Sequence, residues 1–390
     1  MTPPTTPGPT DLRPGMGLLL NILCLYPSDT DWIAAPDSTF NLVLDLAEEN
    51  RVLPLVAHRL QHLAPSLTEP IQHRLDTIAR DSRFAAFWWT AELKGLLTQL
   101  AEHRIDVIPL KGPSLAERLY GDAHLRPSSD LDLLVRSAQL PEARQFLTQL
   151  GFSLKDPDNG YHQLWARGTT ALELHHDLAD PARFQFHIDT AWARTFPITF
   201  AGQPALGLGP PDELLFLCLH GTRHCFEHLG YILDIALFLD HLAATSPSPS
   251  SIPELALRSE TGPLLGVVVL GCELAQHLRA GRPLPFRIPT TPRRAALEKI
   301  AGQLWHQLLT QSPTPQRWTT IRRFYRHTEL TRYRYFLRLL RDARDAATLL
   351  IEADYEFAAR FGVHSDRTWL IYILRYFRLA LRRTSPTAGR

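Results

Sequence analysis

The chain has 390 residues, of which 45% are hydrophobic and 21% charged, and its formal net charge is +1. This length and composition indicate a globular protein with one elaborate domain or two to three packed units. The balanced charge argues against a protein that attracts nucleic acid through a positive electrostatic potential over its whole surface, but it does not exclude a local basic face.

The N-terminal part predicts a loose start followed by helices. Residues 1–15 are rich in proline and are expected to be disordered, whereas residues 16–100 repeat apolar positions at helical spacing, with a break at Pro54. The apolar run at 18–25 is short and lacks a preceding basic region, so it is a poor signal peptide. The apolar run at 262–275 is too short to cross a bilayer, and no transmembrane segment is expected.

Strand-like patterns appear only in the middle of the chain. They are short, apolar and bounded by glycine, proline, aspartate or asparagine, and they lie at 105–110, 131–135, 152–154, 162–167 and 170–176. Two helical segments, "PSLAERLY" and "AQLPEARQFLTQLG", lie between them. Residues 101–209 are therefore predicted to form a small α/β core inside a helical protein.

Beyond this core the pattern is helical again, and 210–390 is predicted to be a C-terminal helical region. Asp212 is the predicted N-cap of a long helical stretch, with a break expected near Gly221 or Gly230. The four cysteines show no paired spacing, which indicates free thiols and a cytoplasmic protein. They are Cys24, Cys218, Cys225 and Cys272.

Two aspartates, Asp130 and Asp132, flank a single leucine at the start of a strand-like segment. Residues two apart on a strand point to the same face, so the carboxylates are expected side by side. Like charges at that distance repel each other unless a cation lies between them. Hard divalent ions prefer carboxylate oxygen and often share their coordination with substrate phosphates. The pair therefore predicts a site for Mg2+ or Mn2+.

A third carboxylate, Glu173, lies between two leucines in "ALELHHD". If its strand lies beside the 131–135 strand, Glu173 completes an acidic triad. Such a residue can ligate a metal that activates an attacking hydroxyl, or take the proton of that hydroxyl.

Lys111 is one of only four lysines in a chain with 41 basic residues, and Gly112 follows it where a strand ends and a helix begins. Glycine allows the backbone to approach a phosphate, the helix N-terminus supplies amide donors, and the lysine supplies a point charge. Ser114 can add a hydroxyl donor, and Arg126 can bind phosphate through its planar guanidinium. These residues predict a phosphate-binding turn beside the acidic strand.

Together, "LKGPSLAERLYGDAHLRPSSDLDLLV" and "LELHHDL" resemble the uncharacterised nucleotidyltransferase family of the DNA polymerase β superfamily. The resemblance extends over about residues 15–245. It implies an α+β fold in which a small polymerase-β-like mixed sheet is embedded in a predominantly helical protein. It also implies metal ligation and catalysis by Asp130, Asp132 and Glu173, and phosphate binding by Lys111, Gly112 and Arg126.

The expected activity is metal-dependent transfer of a nucleoside monophosphate from an NTP to a hydroxyl or phosphate acceptor, with release of pyrophosphate. The acceptor stays open: a small molecule, a sugar phosphate, a peptide, a protein or tRNA. One alternative is a non-catalytic nucleotide-binding or scaffold protein on the same fold. Another is a metal-dependent phosphohydrolase, because "ELHHD", with His176 and Asp177, superficially resembles its ligands. That class carries the His-Asp pair on a helix, whereas this segment has the pattern of a strand.

Further polar residues are candidates for lining the nucleotide or acceptor pocket: His175, His220, His224 and Asp234. The four-residue spacing of His220, His224 and His228, with Cys218 and Cys225 nearby, also leaves a structural zinc site open. Ordinary packed or surface histidines are the third interpretation.

Residues 317–383 combine many arginines with tyrosine, tryptophan and phenylalanine. Such a region can bind RNA by phosphate neutralisation and stacking, or lie on an anionic membrane surface. The third interpretation is the solvated face of packed helices.

Overall fold

The computed structural model describes residues 12–24, 35–63, 67–156, 160–179, 184, 186–245, 263–279, 284, 286 and 294–310. All of them belong to the first of two compact units, residues 1–328. Most of the proline-rich start and the whole Arg- and aromatic-rich stretch at 317–383 lie outside the described residues.

In the described part of the chain, the helices before the sheet are α1 (Met16–Leu23), α2 (Asp37–Glu49), α3 (Leu53–Leu63) and α4 (Glu69–Glu102). Pro54 lies in the first turn of α3, where its missing N–H costs no helical hydrogen bond, so the predicted break falls just before it. Helix α4 has 34 residues and serves two cores. Ile71 and Leu75 near its start pack into the helical core, whereas Leu93, Leu96, Leu97 and Leu100 near its end pack against the sheet.

The central sheet has five strands, β1 (Val107–Pro109), β2 (Leu131–Val135), β3 (Ser153–Asp156), β4 (His162–Arg167) and β5 (Thr170–His175). Their order is β1-β2-β5-β4-β3. Only the β2–β5 pair is parallel; the other three pairs are antiparallel. The prediction of an α+β protein with a mixed sheet among helices is confirmed.

Helices α5 (Gly112–Tyr120) and α6 (Leu140–Gln149) connect β1 to β2 and β2 to β3. One face of the sheet is covered by the end of α4 and by α6, and Leu131, Leu133, Leu172 and Leu174 pack there. Side chains that alternate with these leucines, Asp132 and Glu173 among them, point to the opposite face.

A second, two-stranded sheet follows a short helix and was not predicted. The helix is α7 (Ile188–Ala193), and the sheet is the hairpin of β6 (Phe196–Phe200) and β7 (Gln203–Gly207). Each strand contains a proline, which weakens a strand pattern, and the turn is Ala201-Gly202 rather than Asn-Gly. Both turn residues have positive φ, 48° and 77°, as a tight hairpin turn requires.

The helical part resumes with α8 (Pro210–Arg223) and α9 (Leu229–Thr245), followed by α10 (Pro263–Leu278) and α11 (Arg294–Thr310). The prediction of Asp212 as an N-cap is wrong, because prolines start the helix two residues earlier and Gly209 is the cap. Asp212 instead accepts a hydrogen bond from Arg194 Nε at 2.8 Å. The helical break lies between the two predicted glycines. None of the described helices combines the length and apolar character that crossing a bilayer requires.

Helix α10 approaches α8 closely at Gly271. A Cβ at this position would lie 2.5 Å from Cys218 Sγ and 3.2 Å from Ile235 Cδ1. Gly95 in α4 is the matched contrast, because a Cβ there would meet no heavy atom within 4 Å.

We predict opposite effects on stability for Gly271→Ala and Gly95→Ala. Overpacking at Gly271 should lower the free energy of unfolding by about 1–3 kcal/mol, whereas alanine at Gly95 should raise it by about 0.5–1 kcal/mol because glycine is a poor helix former. Thermal or urea unfolding of the two variants measures this difference. Equal effects would contradict the close packing of α10 on α8.

Candidate active site

The parallel β2–β5 pair brings the predicted acidic residues together. Asp132 on β2 lies directly opposite Glu173 on β5, and His175 follows two residues after Glu173 on the same face. One ligand atom from each of these three side chains lies within 4.8 Å of the others. Asp130 comes directly before β2 and lines the same cavity.

Asp132 is 2% exposed and makes two basic contacts. Its Oδ1 lies 3.0 Å from Lys111 Nζ and 3.3 Å from His175 Nε2. Burial would raise the pKa of Asp132, but the Lys111 ammonium and the His175 hydrogen bond outweigh it and hold the pKa below its usual value. Among the described residues its Oδ2 has no hydrogen-bond partner although it is buried.

Glu173 lies among three basic side chains. Its Oε2 is 3.3 Å from His175 Nε2, 3.8 Å from His162 Nε2 and 3.8 Å from Arg223 Nη1. Burial alone would raise the pKa of Glu173, yet the hydrogen bond from His175 and the nearby charges hold it well below the usual range. Both paired carboxylates are therefore anionic at neutral pH.

Asp130 differs from this pair. Burial and the neighbouring Asp132 charge raise its pKa, and Lys111 offsets this only in part. The Ser129 hydroxyl donates a hydrogen bond to its Oδ1 at 3.2 Å. A cation in the cavity would relieve this repulsion between Asp130 and Asp132.

The predicted phosphate turn borders the acidic residues. Gly112 has φ of 68°, a left-handed conformation that favours glycine, and it begins α5 directly after Lys111. Lys111 Nζ lies between Asp132 and the His220 ring, and its distance from His220 Nε2 is 3.4 Å. Ser114 is 7% exposed and is not among the described residues that line the cavity.

Arg126 and Asp234 form a buried bidentate pair on the cavity wall. Arg126 Nε and Nη2 donate to Asp234 Oδ1 and Oδ2, both at 2.9 Å, and the Tyr120 hydroxyl donates to Oδ1 at 2.7 Å. Burial lowers the pKa of Arg126, but Asp234 more than offsets this and raises it. Asp234 thus fixes the guanidinium and keeps it charged at the wall.

The cavity enclosed by these residues has a volume of about 260 Å³. Its opposite wall comes from α8, α9 and the segment between them, and carries His220, His224, His228 and Tyr231. The rings of His224 and Tyr231 are stacked, with centroids 5.4 Å apart. Burial and the nearby Lys111 charge lower the pKa of His220 well below its usual value. Burial and the Arg223 charge lower the pKa of His224 to about 4. The His220 and His224 rings are therefore uncharged at neutral pH.

Several residues of the site were not predicted. Arg51, in the turn between α2 and α3, lines the cavity, and its φ of 56° is uncommon for a residue other than glycine. Asn50 holds this turn against α9, because its carbonyl oxygen accepts from Gly230 N at 3.1 Å. His162 and Arg223 contact Glu173. The alternation in "HQLWAR" placed His162 on a strand, but only the strand register shows that it faces His175.

The structure does not assemble a zinc site from the histidines and cysteines of α8 and its C-terminal turn. Cys218 and Cys225 are buried in the helical core. Within the described ranges, the single group of three or more His, Cys, Asp or Glu side chains with metal-ligand spacing is Asp132, Glu173 and His175. Two anionic carboxylates, one with a buried oxygen that lacks a partner, fit a divalent ion.

His176 and Asp177 follow the end of β5 and lie outside any helix. The helix-borne His-Asp pair of metal-dependent phosphohydrolases is therefore not formed by these two residues.

Residues 36–278 match the model of a family described as uncharacterised nucleotidyltransferase, over more than half of the chain. No curated protein matches the sequence. Among solved structures, the chain is similar to the antibiotic-resistance factor ANT(2'')-Ia in solution, with 16% identity and a TM-score of 0.34 over 44% of this chain and 89% of that one.

A crystal structure of ANT(2'')-Ia in complex with adenylyl-2''-tobramycin gives 16% identity and a TM-score of 0.31, over 43% of this chain and 94% of that one. An antigenic nucleotidyltransferase-like protein from Paracoccidioides brasiliensis gives 19% identity and a TM-score of 0.31, over 49% of this chain and 92% of that one.

The buried Arg126–Asp234 pair predicts a large stability effect. Asp234→Ala leaves a buried guanidinium without its partner and should lower the free energy of unfolding by about 3–5 kcal/mol. The matched control is Asp106→Ala, which breaks a pair with Arg136 whose side chains are 42% and 47% exposed and should cost about 0–1 kcal/mol. Urea unfolding measures both variants. Similar losses would show that the Arg126 pair is not a structural element of the cavity wall.

Proposed function

This chain belongs to the uncharacterised nucleotidyltransferase family, and we propose that it transfers a nucleoside monophosphate from an NTP to an acceptor hydroxyl or phosphate, with release of pyrophosphate. The observation that carries the proposal is the pairing of Asp132 with Glu173 on adjacent parallel strands, beside the Lys111-Gly112 turn. One cavity therefore presents carboxylates for a metal and a cationic turn for phosphate.

A divalent ion, Mg2+ or Mn2+, would be held by Asp132 and Glu173, with Asp130 beside them. Asp132 Oδ2 is buried without a partner among the described residues, which fits a carboxylate whose ligand is a cation. When bound, such an ion supplies charge neutralisation for the phosphates and polarises the reacting oxygens.

The protein's own cations lie where a triphosphate would need them. Lys111 now pairs with Asp132, and it could pair with a phosphate oxygen instead when a nucleotide binds. The positive φ of Gly112 turns the backbone at the start of α5. Arg126, held by Asp234, adds a fixed positive charge to the wall. These groups would bind the leaving pyrophosphate and keep the α-phosphorus close to Glu173.

Glu173 is proposed to act on the acceptor. It is anionic, and it lies at the boundary between the acidic cluster and the histidines. A carboxylate whose pKa is held well below its usual range is a weak proton acceptor, so Glu173 would act on an attacking hydroxyl as a ligand of the metal that polarises it. The uncharged aromatic rings of His220, His224 and Tyr231 would then contact the nucleoside or the acceptor. The acceptor class stays open between a small molecule, a peptide, a protein and tRNA.

The rival function is a nucleotide-binding or scaffold protein without turnover. Clustered buried carboxylates weigh against it, because a site without a cation has no physical reason to hold Asp130, Asp132 and Glu173 together. The phosphohydrolase alternative is disfavoured by the position of His176 and Asp177 after β5.

Metal-dependent NTP binding tests the proposed function. Isothermal titration of each of the four NTPs with Mg2+ or Mn2+ should show binding to the wild type and a loss of at least about tenfold in affinity in Asp132→Asn. Asp106→Asn, a half-exposed carboxylate outside the cavity, is the matched control and should bind normally. If a folded Asp132→Asn variant bound NTP as well as the wild type, Asp132 would not be a metal ligand.

A second prediction separates phosphate binding from metal binding. Lys111→Met should lower NTP affinity about 10- to 100-fold, because a charge-assisted hydrogen bond is worth about 1.5–3 kcal/mol, while binding of Mn2+ alone is retained. Lys94→Met on the exposed side of α4 is the control for loss of a lysine. Titration of NTP and of Mn2+ into each variant gives both affinities. An unchanged NTP affinity in Lys111→Met would place the triphosphate elsewhere.

A further inference from the structure

We propose that His175 is a metal ligand, and that the site is therefore a mixed nitrogen and oxygen site that prefers a divalent transition ion, with Mn2+ as its probe, over Mg2+. The inference rests on the proposed function only in placing a metal at Asp132 and Glu173. The imidazole ligand, and the metal preference that follows from it, go beyond that function.

The position of His175 Nε2 carries the inference. This atom lies 3.3 Å from Asp132 Oδ1 and 3.3 Å from Glu173 Oε2, so it faces both carboxylates at once. Neighbouring ligands that are each about 2.1 Å from an octahedral ion lie about 3 Å apart. The imidazole nitrogen therefore lies nearly as far from each carboxylate oxygen as neighbouring ligands of one shared ion would, and one ligand atom from each of the three side chains lies within 4.8 Å of the others.

The fold holds the imidazole in this orientation. His175 is 2% exposed at the end of β5. Its ring stacks on His162, its partner on β4, with centroids 5.0 Å apart and an interplanar angle of 23°. The edge of Phe216 from α8 approaches from another side, at 6.1 Å. The ring therefore has little freedom to turn Nε2 away from the carboxylates.

The site also has an anionic oxygen in need of a ligand. Asp132 Oδ2 is buried and has no hydrogen-bond partner among the described residues, although Oδ1 already contacts Lys111 and His175. A cation at this point would satisfy Oδ2 while Lys111 becomes available for phosphate. The same observation distinguishes this group from an ordinary surface cluster of acids.

The ligand chemistry then sets the preference. Mg2+ binds hard oxygen ligands and keeps several waters, whereas imidazole nitrogen is a good ligand for Fe2+, Ni2+, Cu2+ and Zn2+. Mn2+ is the first-row ion closest to Mg2+ in its ligand preference, so it is the most stringent probe of the effect of one nitrogen. One nitrogen with two carboxylates therefore shifts the site away from Mg2+ and towards transition ions. The competing role is a protonated His175 that only neutralises the two carboxylates, with all metal ligands being oxygen.

Electron spin-echo envelope modulation of the Mn2+-loaded full-length protein distinguishes the two roles. A coordinated imidazole gives 14N modulation in the Mn2+ spectrum, and we expect it in the wild type and not in His175→Gln. His162→Gln is the matched control, because this histidine is stacked on His175 and lies 3.8 Å from Glu173 Oε2. It should keep the modulation, as should His220→Gln.

Competition titration of Mn2+ against Mg2+ gives a second readout. The wild type should bind Mn2+ at least about tenfold more tightly than Mg2+, and His175→Gln should lose most of this preference. Removal of a residue that only hydrogen-bonds to a metal ligand already costs about 10- to 100-fold in metal affinity. If His175→Gln fails to fold, retention of the modulation in both His162→Gln and His220→Gln, with the Mn2+ preference of the wild type, still supports the assignment.

Mn2+ bound to the wild type without 14N modulation, or with modulation that persists in folded His175→Gln, would overturn the inference. So would equal affinities for Mn2+ and Mg2+. Either outcome leaves the proposed function intact provided that NTP binding still requires Asp132. Absence of both metal and NTP binding in the wild type would instead reject the proposed function together with this inference.

Discussion

The parallel pairing of β2 with β5 is the constraint on which the rest of the site depends. It sets Asp132 directly opposite Glu173 and places His175 two residues further along the same face. A shift of one residue in this register would send Glu173 into the leucine core that α4 and α6 cover, and would bring Leu172 or Leu174 to the cavity. The apolar residues on the other face, Leu131, Leu133, Leu172 and Leu174, therefore hold the carboxylates in place.

The helices supply what the sheet cannot. Five short strands give an acidic face, but the cavity needs a second wall, and that wall comes from α8, α9 and the turn between α2 and α3. Asn50 ties this turn to the start of α9 through Leu229 N and Gly230 N. Arg51 and Tyr231 reach the same cavity as Asp130 only because these helices pack as one core. The site is thus built from segments that are far apart in the sequence.

Local patterns were sufficient to predict the central strands and the residues on them. Strands at 131–135 and 162–167 have the same bounds in the structure, because short apolar runs between turn residues leave little choice of length. Lys111 and Gly112 were predictable for a similar reason, since a strand-to-helix turn has few solutions. The sequence did not predict that β2 lies beside β5, because strand order depends on contacts across the sheet.

Other parts could not be predicted in the same way. The β6–β7 hairpin contains prolines in both strands and lacks an Asn-Gly turn, so its pattern is weak. The roles of His162 and Arg51 depend on strand register and on helix docking, which leave no local signal. Asp212 has the residue type of an N-cap, but the two prolines before it already begin the helix, and its carboxylate pairs with Arg194 instead.

The central claim is that one cavity holds both the metal and the triphosphate of an NTP. The most direct measurement is a crystal structure of the protein with Mn2+ and a non-hydrolysable NTP, with data collected at the manganese absorption edge. We expect an anomalous peak bonded to Asp132 and Glu173, with the triphosphate against Lys111 and Gly112. A nucleotide bound elsewhere, or manganese bound away from both carboxylates, would contradict it.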